Sequence, residues 1–165
     1  MGYDMYVCDE DGKTLHGDEF YCRRNMWNQG NLRLALLRCN MAFEAVGEDN
    51  WRQVPERPDD NHWVTSEDGW SREPVTQEAR DFVAAVDRYY RDSRDERPGI
   101  PIHKLIGNDG WWVTKVECQS ALKLFEMELA SNFYADNTDQ SIEEQLVDFV
   151  PFLEAAAKHG GFRVY

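Results

Sequence analysis

The sequence contains no Cys-x-x-Cys pair, and its four cysteines, Cys8, Cys22, Cys39 and Cys118, stand apart among apolar neighbours. That spacing argues against the clustered thiols of a zinc ribbon and fits free core thiols in a reducing compartment. The four histidines, His16, His62, His103 and His159, are equally isolated along the chain, so no metal site is expected. A membrane-spanning helix needs roughly eighteen apolar residues in succession, and no such run occurs. The opening MGYDMYVCDED has neither a basic nor an apolar stretch, so no secretory leader is expected. Tyr6 stands where a myristoylation signal wants Ser or Thr. These absences lead to an expected cytoplasmic location.

Positive charge is scarce, with 18 Lys and Arg against 31 Asp and Glu, for a net charge of -13. Such a surface repels phosphate backbones and anionic lipid, so neither direct nucleic-acid binding nor membrane association is expected. It suits a basic protein partner, as in an acidic inhibitor, an immunity protein or a mimic of nucleic acid. Also missing are G-x-S-x-G, the phosphate-loop pattern, G-x-G-x-x-G and H-E-x-x-H. A small hydrolase-like site could draw on His103 with Asp109, Asp4 with Glu117, or Cys118 with His103. A chain with 31 carboxylates supplies such pairs by composition alone, and Cys118 falls on the core stripe of a helix. No catalytic residue and no cofactor are therefore expected.

What is present is a folded profile, 42% hydrophobic and 13% aromatic, on a length that fits a single globular domain over 1–165. YDMYVC alternates as a strand does, and DEDGKTL follows with an Asp-Gly turn. Leu32, Leu36, Cys39, Phe43 and Val46 repeat at helical spacing, which predicts a helix from near Asn31 to Gly47, with Gly30 weakening any continuation towards the N-terminus. The periodicity then lapses, and residues 48–74 read as a long loop carrying Trp51, Trp63 and Trp70, with HWVTS as a short strand.

Val75, Ala79, Phe82, Val86 and Tyr89 predict a second helix. IPIHKLI reads as an edge segment, GNDG as a turn and residues 111–113 as a strand. Thr114 with Glu117 forms a capping-box pattern that opens a third helix, and Ser141 with Glu144 does the same for a fourth, in which Pro151 should introduce a kink or a restart. Gly160 and Gly161 stop that helix, and FRVY closes as a strand. The expected architecture is α+β, about four helices packed on a small sheet formed by the N- and C-terminal strands.

The stretches GYD, YCRRNMWNQG, IPIHKLIGNDGWWVT and AAAKHGGFRVY resemble a set of small proteins of actinobacteria and their phages. Those proteins share a Gly-Tyr-Asp strand, a Phe/Tyr-x-x-Asn-x-Trp segment, an Asn-Asp-Gly-Trp-x-Val-Thr block and a Gly-Gly-Phe end. The resemblance spans both ends and residues 100–118, without a counterpart for 48–98. It implies a bacterial or phage source and no particular activity.

Two concentrations of residues suggest a binding site. In the first, Asn108 and Asp109 occupy a turn between glycines, followed by Trp111 and Trp112. A structural role explains these residues through turn chemistry and core capping. In a binding role, an indole walls a cleft and the polar pair faces a ligand. The second is Tyr21, Arg23, Arg24, Asn25 and Trp27, where adjacent guanidinium groups suit a phosphate or carboxylate and an indole suits a ring. If the two segments meet, His103 and Lys104 join them in a local positive pocket. The expected function is a non-catalytic protein that binds, and could thereby sequester, a small polar or anionic, nucleotide-like ligand. An accessory or counter-defence role would suit such a protein.

Overall fold

The computed structural model describes residues 2–45, 55–69, 71–93, 96–131 and 140–165, the side chains of 140 and 141 excepted. In chain order the elements are β1 (Gly2–Val7), β2 (Tyr21–Asn25), α1 (Met26–Arg38), β3 (Ala42–Phe43), β4 (Trp63–Thr65), β5 (Arg72–Pro74) and α2 (Gln77–Arg91). They continue with β6 (Ile100–Pro101), β7 (Trp111–Thr114), α3 (Lys115–Ala130), α4 (Gln140–Lys158) and β8 (Gly161–Val164). The protein is α+β, as expected. None of its described helices is long and apolar enough to cross a membrane.

The chain forms two compact units, one of residues 1–46 with 93–165 and one of residues 47–92. The first holds a four-stranded antiparallel sheet in the order β2-β1-β8-β7, so the two ends of the chain supply its central pair. Strand alternation assigns its two faces. Met5, Val7, Val113, Phe162 and Val164 point into a core shared with Leu32 and Leu36 of α1, Cys118 of α3, and Phe149 and Leu153 of α4. Of the four described helices, α1, α3 and α4 thus lie on this sheet, and α2 belongs to the other unit.

That second unit pairs β4 with β5 around a turn in which Asp68 accepts from the Ser71 amide. Trp63 meets Phe82 of α2 edge to face at 5.9 Å, and its indole N–H donates to the Pro58 carbonyl. The HWVTS strand therefore forms, and the expected 48–74 loop contains a hairpin in its described part. Trp51 and Trp70 lie outside the described residues.

Several boundaries differ from expectation. Helix α1 starts at Met26 and runs through Gly30, because Asn25 caps it by accepting from the Asn28 amide at 2.8 Å. It ends early as well. Asn40 adopts φ 53°, the left-handed turn that terminates a helix, and Phe43 belongs to β3. YCRRN forms strand β2, and IPIHKLI forms two residues of β6 followed by a 3-10 turn over Ile102–Leu105. Ser141 lies inside α4, whose preceding residues are outside the described set, and α4 continues through Pro151 as one helix. The Thr114–Glu117 capping box forms as expected.

Candidate functional site

Of the two expected segments, 21–27 and 103–114, the structure brings Met26 and Trp27 alongside Ile106. Asn25 ends β2 and caps α1 in one step, which sends the first turn of α1 across the 3-10 turn at Ile102–Leu105. The Leu105 carbonyl accepts from Gln29 Nε2 at 3.1 Å and from Arg33 Nη1 at 3.5 Å, and the Ile106 carbonyl accepts from the Tyr3 hydroxyl at 2.8 Å. Gln29 and Arg33 thus hold α1 beside the 3-10 turn.

Between them runs an open groove of about 610 Å³, lined by Met26, Trp27, Leu34, Leu37, Ile102 and Ile106. Arg33 and Glu44 contribute its charged atoms. The walls are exposed to a degree unusual for large apolar groups: Trp27 is 78% exposed, Leu34 57% and Met26 56%. Isolated exposed apolar residues are ordinary, whereas a contiguous set around a concavity marks an interaction surface.

The remaining sequence-predicted residues do not gather at this groove. Trp111 and Trp112 are buried, so neither indole walls an open cleft. The Trp112 indole donates to the Gly160 carbonyl at 2.9 Å and has the Arg163 guanidinium 4.7 Å above its ring. Trp111 meets His103 edge to face at 5.1 Å, and His103 is itself buried. Lys104 is fully buried. Its ammonium donates at 2.8 Å to the Trp112 carbonyl and to both oxygens of Glu117, which neutralises the charge expected at a pocket mouth. Asn108 and Asp109 are exposed in an irregular segment that bends at Asp109.

Arg23 and Arg24 separate because neighbours on a strand point to opposite faces. Arg24 turns inward, donating to the side-chain and backbone oxygens of Gln145 at 2.7 and 3.1 Å. Arg23 and Tyr21 turn outward to share Asp4. The expected positive pocket is therefore not assembled: its cations are divided among a buried ion pair, a helix contact and the opposite sheet face.

Asp4 and Glu117, one acid/base pair conceivable from sequence, have different partners: Asp4 is held by Tyr21 and Arg23, and Glu117 by Lys104. The Cys118 thiol is fully buried, and burial first, then Glu117, pushes its pKa well above the usual thiol value, so it is poorly suited to act as a nucleophile. Among the described residues, no three His, Cys, Asp or Glu side chains cluster as metal ligands would.

Sequence reasoning does not single out Met26, Leu34, Ile102 or Ile106 as site residues. One signal points to them: Met26, Trp27 and Leu34 are apolar and fall off the core stripe of their helix, forming a second stripe that is visible once the helix is started at Met26. Comparison of the chain with protein-family models, curated proteins and solved structures finds no match in any of the three.

Proposed function

We propose that this chain is a non-catalytic binding protein whose first unit takes apolar side chains of a protein partner into the groove between α1 and the Ile102–Leu105 turn. The observation carrying this reading is the exposure of Trp27, Leu34, Met26 and Ile106 around a single groove. A groove along a helix flank suits an amphipathic segment that presents two or three apolar anchors. The net charge of -13 favours a partner with basic flanks, brought in by long-range attraction. It shares a basic protein partner with the acidic alternative anticipated from composition, but places the contact in an apolar groove rather than on the acidic face. A small anionic ligand at residues 103–112 has less support, because the Lys104 charge is already paired with Glu117. The resemblance to actinobacterial and phage proteins would set this activity in a bacterial cytoplasm, as an accessory or counter-defence factor.

The test is affinity capture from a bacterial host lysate with wild type, Trp27→Ala and Leu34→Asp, each first shown to keep its thermal midpoint. Truncating a central aromatic anchor costs at least about 2 kcal/mol of binding, roughly thirtyfold in affinity. Proteins retained by wild type, lost by both variants and released as salt rises would support the reading. Equal retention by all three proteins would end it.

A further inference from the structure

The sheet face turned away from the helices carries an ordered array that the groove does not use. Register places Tyr21, Tyr6, Arg163 and Trp112 in one row across β2, β1, β8 and β7. A second row places Arg23 opposite Asp4, and Asp4 beside Tyr165, whose amide donates to the Asp4 carbonyl at 2.8 Å. The rings of Tyr6 and Tyr21 lie 4.9 Å apart at 34°, and Tyr165 meets Tyr6 edge-on at 6.1 Å. The three phenols thus form one continuous aromatic surface over three strands.

Two of them reach well into solvent, Tyr21 at 38% exposed and Tyr165 at 42%. Beside them the Arg23 side chain is 69% exposed, its Nε 3.6 Å from Asp4 Oδ1. Trp112 at the far end of the row is covered, since the turn at Gly12 packs against its ring and Arg163 donates to the Gly12 and Gly110 carbonyls. The accessible part is therefore the tyrosine end, with Arg23 as its cation and Asp4 as its acceptor.

We propose that this face binds a small planar ring bearing a phosphate, of nucleoside monophosphate size, with the ring against Tyr21 and Tyr6 and the anion on Arg23. Aromatic faces accept any flat ring, and a guanidinium pairs with a phosphate through parallel N–H bonds. Asp4, whose Oδ1 accepts from the Tyr21 hydroxyl, offers its other oxygen to an amine or hydroxyl of the ligand, which favours a base or sugar over a purely apolar ring. Charge limits the size of the ligand. One phosphate meets Arg23, whose exposed side chain can turn towards it from Asp4, whereas a polynucleotide would bring many phosphates to a chain of net charge -13.

The experiment is titration of the whole protein with adenosine 5′-monophosphate, adenosine, inorganic phosphate and a single-stranded oligodeoxyadenylate, followed by calorimetry and by resonances of the tyrosine rings. The expected result is binding of the monophosphate with shifts at Tyr6, Tyr21 and Tyr165, and at least about tenfold weaker binding of adenosine and of phosphate. Tyr21→Ala and Arg23→Gln should each lower monophosphate affinity by about tenfold, the scale for one stacked ring or one charged hydrogen-bonding group. Tyr21→Phe keeps the ring and should bind more tightly than Tyr21→Ala. All three substitutions lie on an exposed edge strand and should leave the thermal midpoint unchanged. The proposal is overturned by absence of heat and shifts at millimolar monophosphate, by equal binding of all variants, or by an oligonucleotide that binds more tightly than the monophosphate. Loss of binding in Trp27→Ala with Tyr21→Ala unaffected would also overturn it, since that pattern places the ligand in the groove.

Discussion

Replacing Lys104 by Met should be among the most damaging single changes in the protein. The Lys104 ammonium has three donors and three acceptors at 2.8 Å: the Trp112 carbonyl and both oxygens of Glu117. Its side chain is wholly buried and that of Glu117 is only 10% exposed, so neither charge can fall back on water if the other is removed. Methionine matches the stem of lysine in volume, so little cavity forms and the loss is electrostatic. Glu117 would keep the Thr114 amide and hydroxyl as donors, at 2.7 and 3.0 Å, but its charge would lack a counter-ion.

Breaking one side of a buried pair costs about 3–5 kcal/mol, a large share of the roughly 5–15 kcal/mol that stabilises an ordinary domain. Glu117→Gln leaves the ammonium stranded and should cost a similar amount. The double variant Lys104→Met, Glu117→Gln removes both charges together, and its loss should be about 1–3 kcal/mol, well below the sum of the single losses. Urea denaturation of the four proteins measures this cycle. A loss below about 1 kcal/mol for Lys104→Met, or strict additivity in the double variant, would refute the view of a buried, mutually dependent pair.

Other outcomes follow from the same geometry. Arg24→Met should cost about 1–3 kcal/mol by losing both bonds to Gln145, while Arg23→Met on the solvent face should stay within about 0.5 kcal/mol of wild type in urea melts. Gly161→Ala should lower stability by about 3 kcal/mol or more, read as a fall in thermal midpoint, because φ is 99° and a Cβ would overlap the Val113 carbonyl oxygen. Burial first, then Glu128, pushes the Cys39 thiol up to about 11. The unfolded chain releases that proton at lower pH than the native protein, so the contribution is full below about pH 8.5 and is lost as pH rises through about 11. Cys118 and Cys22 are shifted in the same direction, so Cys39→Ala should flatten the alkaline fall in urea midpoint without abolishing it.

Features whose causes lie within a few residues are legible along the chain. The Thr114–Glu117 box starts α3 because donor and acceptor are three positions apart, the helical stripe of α2 repeats every turn, and the alternation of β1 is complete within six residues. The start of α1 is encoded just as locally in Asn25, although Gly30 masks it and YCRRN reads as a lead-in rather than a strand.

Which side chains a partner can reach is settled instead by long-range packing. Trp112 is buried by Gly160 and the turn at Gly12, and Lys104 is neutralised by a carboxylate on another element, so neither fate is written in the neighbouring residues. The pairing of β1 with β8 joins the two chain ends and places Tyr6 beside Tyr165. The groove at Trp27 exists because α1 lies alongside residues 102–106. Local propensity sets an element's period and its ends, whereas burial and charge depend on which distant residues the fold brings into contact.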